Sequence, residues 1–117
     1  MHRRIERHQL PYYLKVFNGI TDKPMGYLGN VSLDGLMLVS QLPLLVNARF
    51  DLRIKIPGQD GVLRNIDFTA TCHWSREDVN PGTYDSGFSL VDAPADYIEL
   101  VDVLRAYFSF HPLSASV

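Results

Sequence analysis

Cysteine is nearly missing from this chain: 117 residues hold one, Cys72, which has no intramolecular partner for a disulfide. A small disulfide-stapled scaffold is therefore excluded. Long apolar runs are missing too. The longest, residues 42–46 (LPLLV), is broken by Pro43 and far too short to cross a bilayer. No apolar run follows the charged N-terminal residues, so nothing there reads as a signal peptide, and a cytoplasmic protein is expected. An excess of charge of either sign is also lacking. Eleven Lys and Arg against thirteen Asp and Glu leave a net charge of −2. That balance argues against nucleic-acid or membrane binding driven by bulk charge, so any anion site must be local. The four histidines (His2, His8, His73 and His111) are scattered, and no His/Cys/Asp/Glu group has metal-ligand spacing. Neither a metal, a cofactor nor an enzyme active site is expected.

What the chain does contain is strand pattern, in a length that suits one domain with a modest core. Residues 48–56 alternate cleanly, with Ala48, Phe50, Leu52, Ile54 and Ile56 on one face and Arg49, Asp51, Arg53 and Lys55 on the other. Residues 57–61 (PGQDG) make a turn. The alternation resumes with Ile66, Phe68, Ala70, Cys72 and Trp74 inward and Asp67, Thr69, Thr71 and His73 outward. On this pattern Cys72 is core, and Trp74 is a core anchor rather than a stacking platform. Residues 84–91 form a further strand, and residues 10–17, 25–31 and 35–40 read as three shorter ones. Six strands joined by turns, without intervening helices, predict a small barrel or a sandwich. Residues 94–108 break the pattern: Tyr97, Val101, Leu104 and Phe108 recur at helical spacing, with Ile98 beside them. Asp92 is the expected N-cap, Pro94 suits the first turn, and Asp96 and Glu99 suit the positive helix end. Such a helix can close one end of a barrel.

Two short motifs carry chemistry. Arg3-x-x-x-Arg7, with Arg4 inside it, crowds three guanidinium groups ahead of the first strand. Asn30-Val31-Ser32-Leu33-Asp34-Gly35 has the form Asn-x-Ser-x-x-Gly at a strand end. Taken singly, the first reads as a solvated basic terminus and the second as an Asx-turn with Gly35 at positive φ.

In their order, separation and flanking pattern the two motifs resemble the PilZ domain family, the bacterial receptor module for cyclic di-GMP. The Trp ending a long strand (72–74, CHW) and the Gly-Phe pair within 84–92 resemble the family as well. The resemblance covers roughly residues 2–108. It implies a mainly β protein, a six-stranded antiparallel barrel with a C-terminal helix. Its expected organisation is an arginine arm over 1–9, a barrel domain over 10–110 with its helix at about 94–108, and a frayed tail over 111–117. It also implies a cyclic di-GMP site built from Arg3, Arg4, Arg7, Asn30, Ser32 and Gly35.

The chemistry suits that ligand. Arginine forks pair bidentately with phosphate oxygens and equally with the O6/N7 edge of guanine, and they stack on purines. The Asn30 amide both donates and accepts. Ser32 adds a hydroxyl, and Gly35 lets backbone approach the ligand. Residues 1–8 hold little apolar content, so the arm is expected to be loose until the ligand neutralises it. Ordering of the arm then offers a signal to a downstream protein partner. Motility, exopolysaccharide synthesis and biofilm formation are the processes the resemblance implies.

Two rivals stand beside this reading. A nucleic-acid-binding barrel would use the outward Arg49, Arg53 and Lys55 with Tyr12 or Tyr13, but Asp51 and Asp67 share those outward surfaces. A PilZ-like interaction module without nucleotide binding would usually lack the arginine arm. One or two nucleotides per chain, and monomer or dimer, stay open. Leu42, Leu44 and Leu45 are either loop packing or an interface.

Overall fold

The computed structural model describes residues 15–57 and 60–109. The arginines at 3, 4 and 7, the first residues of the expected 10–17 strand and the C-terminal tail lie outside the described residues. Six strands run in order: β1 (Lys15–Asn18), β2 (Pro24–Val31), β3 (Gly35–Ser40), β4 (Arg49–Pro57), β5 (Leu63–Glu77) and β6 (Tyr84–Val91). One helix, α1 (Ala95–Ser109), follows. All neighbouring strands are antiparallel and close a barrel in the order β1-β2-β3-β6-β5-β4. Of barrel and sandwich, both compatible with the strand pattern, the barrel is what forms. Two three-stranded meanders close on each other through the β3–β6 and β1–β4 pairs, leaving no free sheet edge.

Alternation holds best in β4 and the first part of β5. Leu52, Ile54, Ile66, Ala70 and Cys72 are fully buried and Phe68 nearly so. Val16, Leu28, Val31, Leu36, Leu38 and Phe88 also belong to the barrel core. One end is closed by the loop between β3 and β4. Its Leu44 packs against the core while its backbone N–H donates to Ser75 Oγ at 3.1 Å. Leu44 is thus loop packing, whereas Leu42 and Leu45 stand exposed.

α1 closes the other end, packing on β5 and β2. Tyr97, Leu100, Val101 and Leu104 supply its buried face, but Ile98 is 41% exposed and lies outside the stripe. The helix start also differs from the sequence pattern. Asp92 takes a left-handed conformation (φ 52°) two residues before the cap. The Pro94 carbonyl opens the helix by accepting from the Ile98 N–H at 3.1 Å. Pro94 therefore caps α1 in place of Asp92, because the chain must turn sharply at 92 to bring α1 back over the barrel mouth.

The largest departure is Trp74. Strict alternation from Ile66 turns its side chain inward, yet it is 38% exposed. The reason is a bulge: the β5–β6 register shifts between Cys72 and Trp74, so Cys72 pairs with Phe88 and Trp74 with the next residue back, Gly87. One inserted residue flips the phase of everything after it. Trp74 moves to the outer face, and Ser75 turns inward to accept from the buried Ser86 hydroxyl at 2.9 Å. β2 carries a second bulge, between Leu28 and Asn30. Leu28 and Val31, three residues apart, both face the core in consequence, and Asn30 faces out.

Candidate functional site

The two bulges face the same outer surface. Across four neighbouring strands the register pairs Asn30 with Met37, Met37 with Gly87, and Gly87 with Trp74. This lateral row floors an open cleft of about 360 Å³, bordered at one end by Asn30 and Ser32 and at the other by His73 and Trp74. That size lies within the range of small-ligand sites, roughly 300–1,000 Å³.

At the first end, the Asn30 Oδ1 accepts from the Val31 N–H at 2.8 Å, which leaves the Nδ2 hydrogens to donate outward. The Ser32–Gly35 turn is closed by the Ser32 N–H donating to the Gly35 carbonyl at 2.8 Å. Ser32 Oγ donates to Asp34 Oδ1 at 2.9 Å, and its lone pairs stay open to a ligand donor. Gly35 does not take positive φ, a conformation confined among the described glycines to Gly61 and Gly82. The requirement for glycine at 35 comes from packing: a Cβ there would sit 2.6 Å from the Phe88 carbonyl oxygen across the β3–β6 pair.

At the other end, the Trp74 indole lies directly over Gly87, whose missing side chain makes room for it; a Cβ at 87 would fall inside the ring's contact distance. The Arg76 guanidinium lies 4.7 Å from the Trp74 ring centroid, a cation–π contact on the outer face. His73 Nε2 is hydrogen-bonded to Ser89 Oγ beside the cleft. Sequence pattern missed Met37, His73, Trp74 and Gly87 as one surface. Only pairing across β6 joins them, and single-strand periodicity carries no information about that.

The described residues lining this cleft include no Lys or Arg. The described lining by itself offers an anionic ligand no counter-charge. The N-terminal end of β1 is directed toward the Asn30 end of β2, since Lys15 pairs with Tyr27 in an antiparallel register. Two members of the basic row expected on β4, Arg53 and Lys55, are otherwise engaged. Arg53 forks onto both carboxylate oxygens of Asp67 (2.6 and 3.0 Å) and also donates to Asp22 at 3.1 Å, while Lys55 donates to Asp22 at 2.9 Å. These hydrogen bonds hold the Asp22 and Asp67 carboxyls below, and the Arg53 guanidinium above, their ordinary ranges. Among the described residues, no group of three or more His, Cys, Asp or Glu is arranged to hold a metal ion.

A family model described as PilZ domain matches residues 1–107, nearly the whole chain and including Arg3, Arg4 and Arg7. Among curated proteins and among solved structures, no match is found.

Proposed function

Because the chain belongs to the PilZ domain family, a family of cyclic di-GMP-binding modules rather than enzymes, we propose that it is a receptor for that dinucleotide. The observation that carries the reading furthest is the convergence of Asn30, Ser32 and Trp74 on one cleft by two independent bulges.

In this reading a guanine lies on the outer face of Trp74, sharing or replacing the position of the Arg76 guanidinium. The Asn30 Nδ2 hydrogens donate to guanine O6/N7 or to a phosphate oxygen, and Ser32 Oγ accepts from a base N–H. Gly35 acts through the β3–β6 pairing that holds the turn. Arg3, Arg4 and Arg7 meet the two phosphates and the second guanine with forks that lysine lacks. Ordering such an arm costs about 1–2 kcal/mol per residue. Several charge-assisted hydrogen bonds at about 1.5–3 kcal/mol each offset that cost. The arm thus closes when ligand arrives and presents a changed surface to a protein partner in the cytoplasm, in control of motility, exopolysaccharide or biofilm.

Calorimetric titration with cyclic di-GMP, GTP and a short single-stranded oligonucleotide tests the assignment. Saturable binding of cyclic di-GMP alone supports it. Preference for the oligonucleotide, or binding of none of the three, refutes it.

A further inference from the structure

Resting on the reading of Asn30 and Ser32 as ligand-binding residues, we propose that Tyr97 is a positioning residue that couples the C-terminal helix to the cyclic di-GMP site. Ligand held at the β2–β3 turn then tightens the docking of α1, which makes the helix a second reporter of occupancy beside the arginine arm.

Tyr97 is fully buried at the barrel mouth, its ring tilted against Phe68 with centroids 5.0 Å apart. Its hydroxyl donates to the Ser32 carbonyl at 3.0 Å and to the Gly35 carbonyl at 3.2 Å, one hydrogen shared between the first and last residues of the turn. The Gly35 carbonyl also accepts from the Ser32 N–H and, at 3.3 Å, a share of the Ser32 hydroxyl hydrogen that points chiefly at Asp34. One buried phenol on α1 therefore fixes the backbone from which Ser32 projects. Burial, with the nearby Asp34 charge, pushes the phenol's ionisation far above the usual tyrosine range, so it stays a neutral donor. The other side chains of α1 that are buried among the described residues, Leu100, Val101 and Leu104, have no polar atoms. Among the described residues, Tyr97 thus makes the side-chain hydrogen bonds between helix and barrel.

Coupling of this kind is reciprocal: if docking of α1 favours the binding-competent turn, ligand on the turn favours docking by the same factor. Tyr97→Phe keeps the ring and its volume and removes only the donor. Cyclic di-GMP affinity is expected to weaken about three- to tenfold, the worth of one buried hydrogen bond. In wild-type protein, saturating cyclic di-GMP is expected to slow amide exchange across residues 97–104 as well as in the turn. In Tyr97→Phe the turn responds and the helix does not. Leu44→Ala, a change in the loop that closes the opposite end of the barrel from α1, is the control for general destabilisation and is expected to leave affinity unchanged.

Equal affinity of wild type and Tyr97→Phe, or wild-type helix exchange that ignores the ligand, overturns the coupling while leaving the receptor reading intact. The second measurement needs no variant, so it decides the matter even if Tyr97→Phe folds poorly. Failure of the wild type to bind cyclic di-GMP overturns both.

Discussion

Trp74 is the residue whose position matters most, and it is the chain's single tryptophan. Its fluorescence therefore reports directly on the cleft. Cyclic di-GMP is expected to change the emission, and Trp74→Ala to weaken binding roughly five- to a hundredfold, the range for one stacked base at about 1–3 kcal/mol. The fold should survive, because the side chain lies outside the barrel core. Gly87→Ala tests the same geometry from beneath. The added methyl displaces the indole, so emission is expected to shift without ligand and affinity to fall with it. Gly35→Ala acts differently: its Cβ presses on the Phe88 carbonyl. A loss of roughly 1–3 kcal/mol in unfolding free energy by urea titration is expected, as for overpacking elsewhere.

At the level of elements, the strands were legible in the sequence because a half-buried strand writes its period into side-chain type. β3, β4 and β6 lie where alternation and turns place them, within a residue or two. The bulges were not legible. Nothing in Thr71-Cys72-His73-Trp74 signals that β5 gains a residue there, since the extra residue is accommodated against Gly87 on another strand. Asn30 and Ser32 were visible as a motif, whereas the wall they face was hidden behind that register shift. The β4 row gives a prediction of its own. Asp22 and Asp67 are lowered by Arg53 and Lys55. Their stabilisation is present above the unfolded carboxylate value of about 3.9 and is lost as pH falls through the lower folded values. Arg53→Gln is accordingly expected to lower Tm modestly at pH 7, with the gap to wild type narrowing in thermal melts only as pH falls below the unfolded carboxylate value. Asp85 carries the opposite sign: burial, then Asp78, raises its pKa. Asp85→Asn is expected to raise Tm at neutral pH and to lose that advantage as pH falls through the raised value.

For the whole molecule, the central claim is that a neutral cleft on the barrel and a basic N-terminal segment make one site. The cleft offers shape, a stacking face and hydrogen bonds, but none of its described lining residues is Lys or Arg. Three arginines precede a strand whose N-terminal end is directed toward Asn30. A net charge of −2 gives no long-range attraction for anions, so the proposed binding rests on such a local arrangement. The most direct test is calorimetric titration of cyclic di-GMP into wild type and into the double variant Arg3→Ala, Arg7→Ala. Saturable binding by the wild type is expected, with a loss of about two orders of magnitude or more in the variant, the worth of at least two charge-assisted hydrogen bonds. Its Tm should be unchanged. Equal affinity in the two proteins, or no binding by the wild type, would contradict the account.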